Sequence, residues 1–164
     1  MSLFPAELLT EAETLLADCR AAGIRLATVE SCTGGLVAGL LTEIAGSSDV
    51  VERGYVTYSN LAKKTEVGVR AETLAEHGAV SEQVARAMAE GAIRESDAHL
   101  VVSITGVAGP GGGSVDKPVG LVWFATARRD GETRAHAERF GDIGRSEVRL
   151  AAVRKALGLL RSRL

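Results

Sequence analysis

The sequence predicts an α/β fold of three layers, α/β/α, in one domain over residues 1–164 with a mixed, mostly parallel sheet. Three observations predict it. Short apolar runs that read as strands alternate with longer stretches of helical periodicity in the first part of the chain. Leu100-Val-Val-Ser-Ile-Thr105 is an almost continuous apolar run, the mark of a strand covered on both faces. Asp130-Gly131 then separates two strand-like runs, a hairpin signal that adds an antiparallel pair.

From Pro5 to Ala22, residues Leu8, Leu9, Ala12, Leu15, Leu16 and Cys19 share one helical stripe, and Gly23 closes it. Ile24 to Val29 alternates as a strand. Leu36 to Ile44 reads as a helix ended by Gly46, and residues 46–49 as a loop. Val51 to Tyr58 is a second strand, with Gly54 as its expected bulge. A helix begins near Ser59 or Asn60, Val67-Gly-Val69 breaks it, and Ala71 to His77 is a short helical piece. Ser81 caps a helix through about Glu95 with Val84, Met88, Ala92 and Ile93 inward. After the strand at Leu100–Thr105 comes the loop Gly106–Ser114, the most flexible stretch by composition. Val119–Arg128 and Glu132–Phe140 form the hairpin. A final helix from about Arg145 to Leu164 carries Val148, Ala151, Ala152, Leu157 and Leu160.

Composition narrows the function. Of 164 residues, 46% are hydrophobic and 24% charged, the proportions of a soluble globular domain with room for a core. Aromatics are only 4% and glycines number 19, which favours close helix-on-sheet packing over an aromatic ligand cage. A net charge of -2 without a basic run argues against a nucleic-acid interface. The N-terminus lacks a basic and an apolar signal region, and no run approaches membrane-spanning length, so the chain reads as cytoplasmic. Cys19 and Cys32 are too few for a disulfide scaffold. His77, His99 and His136 stand apart, without metal-ligand spacing. No metal or other cofactor is expected.

Thr28-Val-Glu-Ser-Cys-Thr-Gly-Gly35 is the stretch the chain is organised around. A strand ending in small polar residues and two glycines sets hydroxyls at a sheet edge and aims the free amides of a new helix at the same spot. A nucleophile and an oxyanion or phosphate site fit there. The simpler alternative is a helix start capped by Ser31 or Thr33. Glu30 reads as a ligand-binding carboxylate or as a helix-start charge. Cys32 competes with Ser31 as nucleophile but has no histidine nearby in sequence to form its thiolate. The glycine-rich loop matches neither a Walker A motif nor a dinucleotide fingerprint, since Ser114 follows Gly109 and Gly111 where a third glycine is required. Its backbone amides can still meet an anion; otherwise it is a solvent loop.

Lys63, beside Lys64, is either a solvated lysine or the base of a serine nucleophile. Spacing does not make a Ser-x-x-Lys motif with Ser31. The two meet only through folding, as residues that follow strands at one sheet edge. Tyr58 is placed to orient the lysine, or is an edge-strand tyrosine.

Glu30-Ser-Cys-Thr-Gly-Gly35, Tyr58-Ser-Asn60 with Lys63, Gly78-Ala-Val-Ser81, Thr105-Gly106 with Ala108-Gly-Pro110 and Gly112-Gly113, and Lys117-Pro-Val-Gly120 occur in that order. Together they resemble the CinA C-terminal family, in its stand-alone nicotinamide mononucleotide deamidase form, over nearly the whole chain. The resemblance implies an α/β fold and a homodimer or higher homo-oligomer. It also implies metal-free hydrolysis of the carboxamide of nicotinamide mononucleotide to the acid and ammonia. By resemblance Ser31 is the nucleophile, Lys63 its base and Tyr58 a supporting hydroxyl. Asn60, Thr105 and the loop from Gly106 to Gly113, including Gly112, contact substrate. Such a reaction needs amide donors for a tetrahedral oxyanion, and Thr33, Gly34 and Gly35 are placed to supply them. Family members often carry Gly-Asp-Arg where this chain has Gly141-Asp-Ile-Gly-Arg145, so two residues separate Asp142 from the candidate phosphate contact Arg145. Larger members add an N-terminal domain similar to molybdopterin-binding proteins, which is not expected here. The other class of function is a non-catalytic module that binds a pyridine nucleotide or a partner protein through the same pocket. A serine with a lysine base favours the enzyme, because binding alone requires neither.

Overall fold

Strand β1 (Leu26–Glu30) lies inside the sheet with β2 (Val51–Val56) on one side and β3 (Leu100–Gly106) on the other, both parallel to it. β4 (Leu121–Arg128) runs antiparallel to β3, and β5 (Arg134–Arg139) antiparallel to β4, giving the order β2-β1-β3-β4-β5. Four strands thus point one way and β4 the other. The computed structural model describes residues 1–164. Its helices are α1 (Ala6–Ala22), α2 (Leu36–Glu43), α3 (Asn60–Val67), α4 (Ala71–His77), α5 (Glu82–Glu95) and α6 (Arg145–Arg161).

Strand alternation divides the core between the two sheet faces. Leu26, Leu100, Val102, Ile104, Val122 and Phe124 face α1, α2 and α6 through Leu15, Leu40, Leu41, Val148 and Leu157. Ala27, Val29, Val101, Ala125 and Ala127 face α3, α4 and α5 through Val67, Leu74, Val84, Met88 and Ala92. The same parity sorts the polar residues of β1. Thr28 and Glu30 point toward α2, and Ser31, next in phase after Val29, falls on the α3 side.

Element ends follow local chemistry. Gly23 closes α1 in the left-handed region at φ 67°, and the Ile24 amide returns to the Cys19 carbonyl. Ile24 and Arg25 are therefore connection, and β1 starts two residues later than the alternation predicts. The expected bulge at Gly54 is displaced. The register shifts between Leu26, opposite Val51, and Ala27, opposite Arg53, so Glu52 is the extra residue. Gly54 sits in regular register, and a Cβ there would press on the Ala38 Cβ and the Thr28 hydroxyl, both at 3.0 Å. Its glycine serves the close seat of α2 on the sheet. β2 ends at Val56 rather than Tyr58, although the Thr57 amide adds one more bond to the Glu30 carbonyl.

Candidate active site

At the end of β1 the Ser31 amide still bonds the Ile104 carbonyl, so the strand ladder holds Ser31 itself. The chain then turns through Gly34 (φ 57°) and Gly35 (φ 98°), where a side chain would be strained, into α2. Neither Ser31 nor Thr33 caps this helix. Glu30 does so from the strand. One of its carboxylate oxygens accepts from the Val37 amide (2.9 Å) and the Thr33 hydroxyl (2.6 Å). The other accepts from the Ala38 amide (3.1 Å) and the Thr28 hydroxyl (3.3 Å). The carboxylate is fully buried, and its charge offsets the positive end of α2. Of the two readings open for Glu30, the structure gives it the helix-start charge. With four donors on it, it lies beneath the site rather than lining it.

Lys63 reaches Ser31 from the α3 side. Ser59 caps α3 by accepting from the Ala62 amide at 3.0 Å, which sets Lys63 one turn into the helix and turns its stem inward. The side chain is among the largest fully buried ones in the protein. Its amine lies 3.0 Å from the Ser31 Oγ, 2.8 Å from the Thr57 carbonyl and 3.3 Å from the Tyr58 carbonyl. The amine donates to the Ser31 hydroxyl oxygen and to two carbonyls, so each of its three donor positions has an acceptor. Burial holds the amine below the ordinary lysine range, because the charged form loses hydration and no carboxylate pairs with it. Cys32 is the opposite case. Burial pushes its thiol up to about 11, so it is a packed side chain rather than a thiolate nucleophile.

The other predicted residues divide. Tyr58 and Asn60 are exposed at the mouth of the dyad. The Tyr58 hydroxyl touches neither Ser31 nor Lys63; it accepts from the Arg145 guanidinium at 3.2 Å. Arg145 also donates to the Gly109 carbonyl at 2.8 Å, so this side chain ties the glycine-rich loop to Tyr58 despite the two extra residues before it. Gly112 and Gly113 are exposed on that loop, whose base is closed by bonds from the Gly120 amide to Val107 and from Val107 to Leu121. Gly106 is close-packed under Val122 and Leu121, where a Cβ would collide. The Thr105 side chain, expected to contact substrate, is buried, and so is that of Thr33, whose expected contact is through its backbone amide. The Thr33 hydroxyl is held by Glu30, and the Thr105 hydroxyl donates to the Ala79 carbonyl at 2.8 Å. The Gly34 amide is taken by the Ser31 carbonyl at 3.0 Å, whereas the Thr33 and Gly35 amides have no acceptor in the protein. With the Cys32 amide, which also has no acceptor, they are the unpaired donors of the turn after Ser31.

A cleft of about 360 Å³ opens elsewhere, over β4 and β5 under Trp123, with Ser81, Lys117 and Arg139 on its walls. Its hydroxyl is not a nucleophile: Ser81 caps α5 by accepting from Val84 and donates to the Gly78 carbonyl. The buried contact between Ser31 and Lys63 lies apart from this cleft. No group of three or more His, Cys, Asp or Glu side chains stands together to hold a metal, and no helix is long and apolar enough to cross a membrane.

The CinA C-terminal domain family model matches residues 9–164. The chain belongs to the CinA C-terminal domain family. This family member is 52% identical over 156 residues to nicotinamide-nucleotide amidohydrolase PncC of Escherichia coli strain K12, covering 94% of this chain and 93% of that protein. It is 53% identical over 150 residues to a CinA-like protein of Anaeromyxobacter dehalogenans strain 2CP-1, covering 91% of this chain but 36% of the longer relative. Among solved structures, the competence/damage-inducible protein CihA of Agrobacterium tumefaciens superposes with a TM-score of 0.96. The identity is 55%, with 99% of this chain and 98% of that chain covered.

Two parts of the site in this CinA C-terminal domain escape a reading of the sequence. The Thr57 carbonyl is the shortest contact of the Lys63 amine, and a backbone oxygen carries no residue-type signal. Arg149 donates to the Cys32 and Thr33 carbonyls at 3.0 and 3.2 Å. Its one available signal is its position a helical turn after Arg145, on the same face of α6.

Proposed function

We propose that this CinA C-terminal domain hydrolyses the carboxamide of nicotinamide mononucleotide to nicotinic acid mononucleotide and ammonia, with Ser31 as nucleophile and Lys63 as its base. The observation that carries the mechanism is the buried Lys63 amine, without a carboxylate partner, 3.0 Å from the Ser31 hydroxyl. The name of the Escherichia coli relative, at 52% identity across nearly both chains, supports the substrate.

The Ser31 oxygen attacks the carboxamide carbon as its proton passes to Lys63. The carbonyl oxygen becomes an oxyanion held by the free Thr33 and Gly35 amides. Collapse breaks the C–N bond. Lys63 returns the proton to the leaving nitrogen, and ammonia departs. Water then attacks the acyl ester and gives a proton to Lys63, which passes it to Ser31 as the ester C–O bond breaks. The acid product ionises, its proton passing to ammonia or solvent, and leaves as the carboxylate. Asn60, the Gly106–Gly113 loop and Arg145, with its partner Tyr58, contact the rest of the nucleotide. The chain works as a homodimer: Val56, Tyr58 and Leu61 leave apolar surface exposed beside the edge strand at the mouth of the site, a surface a second copy would cover.

Ammonia release from nicotinamide mononucleotide by the purified protein tests the reading. Stoichiometric ammonia and nicotinic acid mononucleotide are expected. Binding without turnover would instead make the protein a non-catalytic nucleotide-binding module.

A further inference from the structure

We infer that Arg149 is the positioning residue of the oxyanion site, a role that rests on the amidohydrolase reading above. Arg149 is half-buried on α6, more than a hundred residues from the turn it serves. Its Nε donates to the Cys32 carbonyl at 3.0 Å and one Nη to the Thr33 carbonyl at 3.2 Å. Both acceptors belong to the turn that follows Ser31, and no carboxylate pairs with the guanidinium. The planar fork thus grips two successive peptide groups, which a flexible ammonium does not reproduce.

Peptide planarity turns this grip into control of donors. In a trans peptide unit the C=O and the following N–H point in opposite directions. Holding the Cys32 oxygen toward α6 sends the Thr33 N–H away from α6. The Thr33 oxygen, shared between Arg149 and the Leu36 amide at 3.1 Å, is held the same way, and the Gly34 N–H reaches the Ser31 carbonyl at 3.0 Å and closes the turn. The Thr33 N–H finds no acceptor in the protein and is left for a ligand oxygen. Gly34 permits the close seat: a Cβ there would stand 3.5 Å from the Arg149 Nη2, on a backbone at φ +57°. The guanidinium also adds positive potential behind the donors. It touches neither Ser31 Oγ nor Lys63, so it acts on the oxyanion and not on the base.

The test compares Arg149→Met and Arg149→Lys with the wild type by turnover and by the backbone amide signals of Thr33 and Gly34. Arg149→Met is expected to lower kcat on the order of 10–100-fold, at or just below the loss of a full oxyanion donor, with KM within about 3-fold. Its pH profile should keep the wild-type limb, since Lys63 is untouched. The Thr33 and Gly34 amide signals should move. Arg149→Lys, which can still hold one carbonyl, should recover part of kcat and part of the amide shifts. Unchanged kcat with unmoved amides in Arg149→Met would overturn the inference. So would a raised KM with intact kcat, which marks a direct substrate contact, or a lysine variant no better than methionine. If the wild type releases no ammonia, the deamidase reading falls, and the amide signals alone decide whether Arg149 orients the turn.

Discussion

The Lys63 amine stands 3.0 Å from the Ser31 hydroxyl, across 32 residues of sequence. The relationship follows from strand parity. Glu30 turns toward α2 and anchors it, so Ser31 must turn toward α3, and Lys63 lies one turn into α3. The site is the meeting of two helices that cover opposite faces of the same strand.

The buried amine predicts the pH dependence. Lys63 must be neutral to take the Ser31 proton, and burial lowers its ionisation below the ordinary lysine value of about 10.4. The wild-type rate should rise with pH along one ionisation below that value. Lys63→Arg stays cationic, should lose that limb and turn over at least ~100-fold more slowly while still binding nicotinamide mononucleotide. The stability effect has a definite sign. Between the folded and unfolded pKa the unfolded chain binds the extra proton, so this group makes stability rise with pH through that window. Lys63→Met should lack that increment in urea unfolding at a series of pH values. Near-wild-type turnover by Lys63→Arg would exclude Lys63 as the base.

Ser31→Ala should abolish ammonia release with the fold intact, as judged by circular dichroism and thermal midpoint. Cys32→Ala should retain substantial activity, because a thiol pushed up to about 11 holds almost no thiolate at neutral pH. A thiol-alkylating reagent should have little effect on the folded enzyme. The reverse pattern, an active Ser31→Ala and a dead Cys32→Ala, would move the nucleophile to sulfur.

Glu30→Gln separates support from substrate contact. The glutamine oxygen can keep the donors of one side, but its NH₂ group meets those of the other. Leaving buried amides unpaired costs about 1–3 kcal/mol, so the thermal midpoint should fall by roughly 2–10 °C. Activity should fall with it. A variant of unchanged stability and raised KM would show the carboxylate contacting substrate after all.

Gly91 lies on α5 where a Cβ would fall onto the Val67 carbonyl at the end of α3. Gly91→Ala therefore must push α3, and with it Lys63, outward. A loss of about 1–3 kcal/mol is expected from overpacking. A drop in kcat should accompany it, measured alongside the melting curve. Wild-type stability and kcat together would show that α3 is not held by this contact.

Signals that act within a few residues were legible in the sequence. Gly23 and Ser59 end and start helices as their types require, and Asp130-Gly131 turns the hairpin, with Asp130 at φ 60°. The unbroken run at Leu100–Thr105 is buried on both faces. The order of short motifs identified the family, and with it Ser31 and Lys63 as the pair to watch. What the tertiary structure decided were relations between distant side chains and backbone groups. A helix-start charge and a substrate carboxylate look alike at Glu30 until four donors close on it. Thr105 looks like a substrate contact until the Ala79 carbonyl takes its hydroxyl, and Thr33 like a helix cap until Glu30 takes its own. Arg145 reaches Tyr58 in spite of its two extra residues, and Arg149 grips carbonyls that no residue type announces. The physical reason is range. Capping, turn formation and hydrophobic periodicity depend on neighbours along the chain. Hydrogen-bond satisfaction in a buried site depends on which strand face and which helix layer each group is folded onto.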